Sequence, residues 1–145
     1  MKVVVQRAIN AKVLVDKKIV GNIDKGYMLL VGFTHTDNEE NCQAMAKKIK
    51  NLRIFEDENG KMNLSIDSVS GKILSVSQFT LYADTNGGNR PSFVNAMKPD
   101  EAKRLYEYFN KCLRDLDLEV SEGIFQAEMK VSFTNDGPVT IILEN

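Results

Sequence analysis

Over residues 127–143 the chain starts a strand, breaks it and starts another, and the break limits what the C-terminal half can become. Ala127, Met129, Val131 and Phe133 alternate with Glu128, Lys130 and Ser132, the period of a half-buried strand. Residues 139–143 read as a second, short apolar strand. Between them, Asn135-Asp136-Gly137-Pro138 predicts a turn. An X-Pro bond is the kind of peptide bond that adopts cis at modest cost, and glycine lets backbone approach a ligand with no Cβ in the way. The segment reads as a device for presenting carbonyl groups.

The remaining pattern mixes strands with two helices. Segments 3–7, 11–16, 19–23 and 27–33 read as strands, joined in part by Asp16-Lys17-Lys18 and Asp24-Lys25-Gly26. Thr36 and Glu39 have capping-box spacing ahead of a stripe of Cys42, Met45, Ala46, Ile49 and Leu52. Residues 56–61 form a turn, 72–81 a strand and 84–90 a loop. A second helix starts at Pro99, with Asp100 and Glu101 suited to the positive end of its dipole. Its apolar face is Ala102, Leu105, Tyr106, Phe109, Cys112, Leu113 and Leu116. Two principal helices among about seven strands predict one α+β domain over residues 1–145, with a mainly antiparallel or mixed sheet. Segments 1–5 and 139–143 are candidate sheet edges or subunit contacts.

Composition removes several function classes. The apolar and charged fractions, 43% and 27%, are those of a soluble globular protein. No apolar run reaches the ~18 residues of a membrane span, so no membrane partner is expected. The run at residues 3–5 is too short for a signal peptide and reads as a first strand. A net charge of −1 argues against broad nucleic-acid binding, though not against contact with one RNA end. Lys47, Lys48, Lys50 and Arg53 would suit such a contact, or simply make a solvated helix face. Cys42 and Cys112 lack metal-ligand or redox spacing and read as reduced, buried helix residues.

No standard catalytic set is visible. His35 is the only histidine and reads as a surface or capping residue. No Cys/His set has zinc-ligand spacing, and Gly87-Gly88 lacks the Gly-Lys-Ser/Thr of a phosphate loop. No nucleophile-elbow pattern surrounds a serine. Ser77-Gln78-Phe79-Thr80-Leu81 is the other candidate. Ser77 and Thr80 satisfy buried backbone groups while Gln78 is solvated, or the segment is functional, as strand ends running into glycine-rich loops often are. A Thr80 nucleophile needs a base that the sequence does not place beside it. The N–H groups of Phe79 and Thr80 could instead stabilise an oxyanion.

Taken together, Ser77-Gln78-Phe79-Thr80-Leu81 and Asn135-Asp136-Gly137-Pro138-Val139-Thr140 resemble the paired signature of the D-aminoacyl-tRNA deacylases. Gln6-Arg7, Arg53-Ile54-Phe55, Gly60-Lys61-Met62-Asn63 and Asn89-Arg90-Pro91-Ser92-Phe93 extend the likeness along the chain. The resemblance implies a hydrolase that frees D-amino acids, and glycine mischarged on tRNA-Ala, from the 3′ end of tRNA; a cytoplasmic location and no cofactor are expected, and no residue is assigned to a metal. It implies a homodimer with active sites at the interface. A cis Gly137-Pro138 motif would reach into the partner's site, its carbonyls holding the α-amino group and rejecting L side chains, with Arg7 in support. Ser77, Gln78, Phe79 and Thr80 would position the terminal adenosine and the scissile carbonyl, and a ribose hydroxyl would assist a bound water. A non-catalytic RNA-end binder, an esterase or amidase of small D-amino-acid derivatives and a structural protein are the competing classes.

Overall fold

The computed structural model describes residues 1–145, of which two long strands occupy most of the first 32. Strand β1 (Lys2–Val15) and strand β2 (Lys18–Gly32) form an antiparallel hairpin. Its turn residues Asp16 and Lys17 have φ of 48° and 65°, and two positive values match the right-handed twist of the arms. The four strands expected over 3–33 are therefore two. Asp24-Lys25-Gly26 does not turn but continues β2, and Asn10 (φ 52°) marks an irregularity within β1. Asn10, Asp24 and Lys25 are exposed positions of long strands, where polar residues need no turn.

Helix α1 (Glu39–Lys50) follows. Its cap is Asn38, whose Oδ1 accepts from the N–H groups of Glu40 and Asn41 at 2.9 and 3.3 Å. The Asn41 side chain returns the bond to Asn38, so the capping box exists but lies two residues beyond the expected Thr36. Strands β3 (Phe55–Glu56) and β4 (Met62–Leu64) flank the expected turn, and β5 (Lys72–Ser77) follows. Strand β5 stops at Ser77, four residues short of the expected end. Helix α2 (Pro99–Arg114) begins at Pro99 as predicted, and β6 (Val120–Glu122) and β7 (Lys130–Glu144) complete the chain.

The five-stranded sheet runs β6-β5-β2-β1-β7 and is mixed: β1 is antiparallel to both neighbours, while β2–β5 and β5–β6 are parallel. Segment 1–5 is thus interior to the sheet, paired on both sides, and only 139–143 lies on an edge. One face, with Val3, Val5, Tyr27, Leu29, Val31 and Ile73, packs under Cys42, Met45 and Ile49 of α1 and Leu105, Phe109 and Leu113 of α2. On the other face Ala8, Ala11, Val13, Ile23, Met28, Leu74 and Val76 form a smaller cluster. The Ser121 hydroxyl donates to the Asn22 carbonyl at 3.0 Å, so the sheet curls until β6 meets the start of β2.

Both thiols are free and buried, as the helix-face reading expected. Burial pushes the Cys42 thiol up to about 12, so between about 9 and 12 the folded chain holds a proton that the unfolded chain releases. This stabilising contribution is complete below the unfolded value and is lost as pH rises. Urea unfolding should accordingly show lower stability at pH 10 than at pH 7, and equal or greater stability at pH 10 would contradict that burial. Gly26 has φ 145°, and a Cβ there would overlap the Lys72 carbonyl oxygen across the β2–β5 pairing. Gly26→Ala should cost at least ~3 kcal/mol in the same experiment, since strained backbone and a backbone clash add.

Candidate active site

The segment after β5 turns sharply because Gln78 leaves strand geometry (φ −146°, ψ 87°) while its N–H still donates to the Val31 carbonyl at 2.7 Å. Residues Phe79–Tyr82 then form one 3-10 turn. Phe79 and Thr80 open that turn, so their N–H groups have no partner within it. Phe79 is 56% exposed and meets Phe93 edge to face at 5.0 Å between ring centroids. The Gln78 side-chain amide donates to the Thr80 hydroxyl at 2.5 Å. Lys2 steadies the turn: its ammonium donates to the Leu81 carbonyl at 3.4 Å, pairs with Glu144 at 2.7 Å and lies 5.2 Å from the Tyr82 ring centre.

Ser77, Gln78 and Phe79 form one wall of a cavity of about 750 Å³. Phe93 and residues 96–99 with Ala102 form a second wall, and Phe125, Gln126, Ala127 and Met129 a third. No His, Cys, Asp or Glu lines it, and Lys98 is its one charged residue. Sequence reasoning did not find the second and third walls as a site. The signals available were Phe93, inside a motif already noted, and the lysine just before Pro99. Gln126 stands in the left-handed region (φ 64°), a conformation no sequence pattern announced.

Thr80 has no base. His35 is exposed, and its Nε2–H donates to the Val94 carbonyl at 2.6 Å, the surface role expected of a lone histidine. The basic cluster near α1 is partly engaged elsewhere. Lys50 donates to the Leu116 carbonyl at 2.5 Å, and Arg53 to the Asn63 carbonyl at 2.7 Å. Neither these two nor Lys47 and Lys48 line the cavity.

The second signature is a bulge inside β7 rather than a turn between two strands. Gln6 pairs with Thr140 and Ala8 with Asn135, so Arg7 alone faces Asp136, Gly137, Pro138 and Val139. Three extra residues leave the ladder, and the Gly137–Pro138 peptide bond is cis. The bulge is pinned from two sides. Asn135 Oδ1 accepts from the Val139 N–H at 2.9 Å, while its amide donates to the Thr140 hydroxyl at 2.9 Å. Arg7, 7% exposed, donates from Nε to the Asp136 carbonyl at 2.8 Å and from a terminal nitrogen to the Ile54 carbonyl at 3.0 Å. Glu56 and Asp136 carboxylates lie 3.7 and 3.5 Å from the guanidinium. Gly137 (φ 128°) sits so close to Arg7 that an added Cβ would lie 2.9 Å from a guanidinium nitrogen. Gly137 and Pro138 themselves are exposed.

Within the chain the two signatures stay apart. Ser77 shares a row with Val31, Val3 and Leu143, whereas the bulge lies on the row of Arg7, Tyr27 and Ile73. Four residues along the strands and three strand spacings across give a separation of roughly 20 Å. Arg7 joins the bulge but not the cavity. Replacing its guanidinium, which bridges two carbonyls, should be costly: Arg7→Ala is expected to lose ~2–3 kcal/mol of stability, and Arg7→Lys to recover less than half, since one ammonium cannot span both acceptors. Urea melts of the two variants measure this, and full recovery by lysine would refute the bridging role.

Residues 4–144 match the family described as D-Tyr-tRNA(Tyr) deacylase. The D-aminoacyl-tRNA deacylase of Bacillus cytotoxicus is 57% identical over 145 residues, covering 100% of this chain and 99% of that protein. Among solved structures, the c-Myc DNA unwinding element binding protein has a TM-score of 0.93 and 41% identity, covering 100% of this chain and 99% of the other. A probable eukaryotic D-amino acid tRNA deacylase has a TM-score of 0.84 at 18% identity, covering 98% and 97%, and shares the fold.

Proposed function

The chain belongs to the D-Tyr-tRNA(Tyr) deacylase family, and from that premise we propose how its geometry frees a D-amino acid from tRNA. It is a D-aminoacyl-tRNA deacylase, a hydrolase of the ester between amino acid and tRNA. The observation that carries the mechanism is a cavity beside Ser77–Phe79 whose walls hold no His, Cys, Asp or Glu to activate a nucleophile. The chemistry then falls to backbone dipoles and to the substrate. The terminal adenosine occupies the cavity, with Ser77 and Gln78 along its wall and the Phe79–Phe93 pair at its rim. The ester carbonyl lies toward the free N–H groups of Phe79 and Thr80, which stabilise the oxyanion formed when water adds to the carbonyl carbon. The bond from acyl carbon to ribose oxygen breaks, the ribose oxygen takes up a proton passed through the neighbouring ribose hydroxyl, and free amino acid and tRNA result.

Chirality is read elsewhere. The bulge carbonyls are about 20 Å from the cavity of their own subunit, by strand rise and spacing. We therefore assign them to a homodimer in which the partner subunit's Gly137 and Pro138 cap the site. Their carbonyls accept hydrogen bonds from the substrate α-ammonium, and a D side chain points away while an L side chain meets the bulge. Rejection by a rigid wall needs no reactive group. Arg7 and Asn135 supply the rigidity through their bonds to the bulge. Glycine has no side chain to reject, so glycyl-tRNA-Ala is a second substrate. Residues 1–145 act as one deacylase domain, working on the cytoplasmic tRNA pool.

Incubation with D-tyrosyl-tRNA and L-tyrosyl-tRNA tests the reading, with amino acid release expected from the D-form only. Equal cleavage of the two would sink it. Tight binding of both without release would favour a non-catalytic RNA-end binder, and equally fast cleavage of free D-tyrosine esters would favour a small-molecule esterase. Gly137→Ala, which displaces the carbonyls against Arg7 and Val139, should lower D-tyrosyl-tRNA turnover by about 100-fold. Thr80→Ala should lower it by less than about 10-fold, because a lost hydroxyl contact is smaller than a lost nucleophile. Complete inactivation of a folded Thr80→Ala protein would show that the hydroxyl takes part in the chemistry.

A further inference from the structure

Lys98 is the only charged residue among the walls of an otherwise neutral cavity, and the mechanism above gives it no work. It immediately precedes α2 and occupies the helix cap without making a side-chain cap bond. The cations that follow it on α2 within two turns are engaged: Lys103 with Glu107, and Arg104 with Glu101 and Glu39. Lys98 has no comparable partner. Asp100 and Glu101 follow it in the first turn of α2, but neither lines the cavity and Glu101 is held by Arg104. The Lys98 backbone is fixed from both sides, since the Met97 N–H donates to the Phe33 carbonyl at 2.9 Å and the Ala102 N–H to the Lys98 carbonyl at 2.9 Å. A long, flexible cationic side chain therefore springs from a rigid root at the wall of an apolar cavity.

We propose that Lys98 binds the 5′-phosphate of the terminal nucleotide whose nucleoside occupies the cavity, and so sets which way the substrate lies. The inference rests on the assignment of the cavity to the terminal adenosine. An aminoacylated nucleotide carries opposite charges at its two ends, the α-ammonium at the acyl end and the phosphodiester at the 5′ end. A lone ammonium on the wall repels the first and attracts the second. With the phosphate at Lys98, the acyl end lies toward the turn that bears the Phe79 and Thr80 N–H groups. Lysine suits this contact because it acts as a point charge on a flexible stem and needs no bidentate geometry. Lys98 is thus a positioning residue for the deacylation, in contact with a non-reacting part of the substrate.

Two measurements test the proposal. Direct binding of adenosine and of adenosine 5′-monophosphate to the wild-type protein should show about a five-fold preference for the monophosphate, the ratio expected for one exposed charge pair. Lys98→Ala should abolish that preference while leaving adenosine affinity unchanged, and Lys98→Arg should restore it. With D-tyrosyl-tRNA, Lys98→Ala should raise KM about five-fold and reduce the slope of log KM against log salt by about 0.7, the value for one single-strand phosphate contact. An unchanged monophosphate preference in Lys98→Ala would overturn the proposal, as would an equal loss of adenosine and monophosphate binding. Failure of the cavity assignment looks different: wild-type protein would then bind neither ligand while still cleaving D-tyrosyl-tRNA.

Discussion

Strand β1 has a hydrogen-bonded neighbour along both edges, and the rest of the sheet takes its register from it. Its odd-numbered side chains Val3 and Val5 lie under the helices, and Ala8 enters the cluster on the opposite face. A one-residue slip would exchange the two faces and strand the core in solvent. Against β2 the register stays continuous through Arg7. Against β7 it cannot, because four residues of β7 face Arg7 alone. The surplus must bow out, and Arg7 donates to a carbonyl of the bowed segment and to another at the edge of β3. The β7 bulge is thus a consequence of pairing on both sides of β1, with a buried guanidinium fixing its shape.

Much of this was legible in the sequence, for identifiable reasons. The face of α2 and its start at Pro99 follow from helical spacing and from the fixed φ of proline, both local properties. The alternation at Val131 and Phe133 marked the start of β7, although the strand begins only at Lys130 and Ala127 and Met129 lie in the cavity wall. The two signatures marked the turn after β5 and the bulge in β7. The cis bond before Pro138 agrees with what the family resemblance implied. What failed was continuity. Two strands over 3–33 looked like four because Asn10, Asp24 and Lys25 are polar and exposed, and local composition cannot distinguish a wet strand position from a turn. The same ambiguity made the β7 bulge look like a turn, since only the pairing with β1 reveals that the strand resumes in the same sheet.

The cavity was the least visible feature. Ser77, Gln78 and Phe79 were singled out, but the facing walls come from residues 93–102 and 125–131, which reach it through tertiary contacts such as the Met97 N–H to the Phe33 carbonyl. Asn135 was seen as part of a turn, and its two side-chain bonds across the bulge were not foreseeable from spacing. Lys98 was not singled out in the sequence. Its interest arises from the lack of any other charge around the cavity, a property of the assembled walls.

The bulge also bears on how this molecule behaves in a crowd. Strand β7 is the outer strand of the main sheet, 15 residues long, with Ile142 exposed beyond the bulge. A long open edge with apolar side chains is a template on which other chains can pair and aggregate. The bowed segment cuts that template into two short pieces, and Pro138 withholds an N–H at the interruption. The segment proposed to present carbonyls to a substrate also protects the edge against unwanted strand addition.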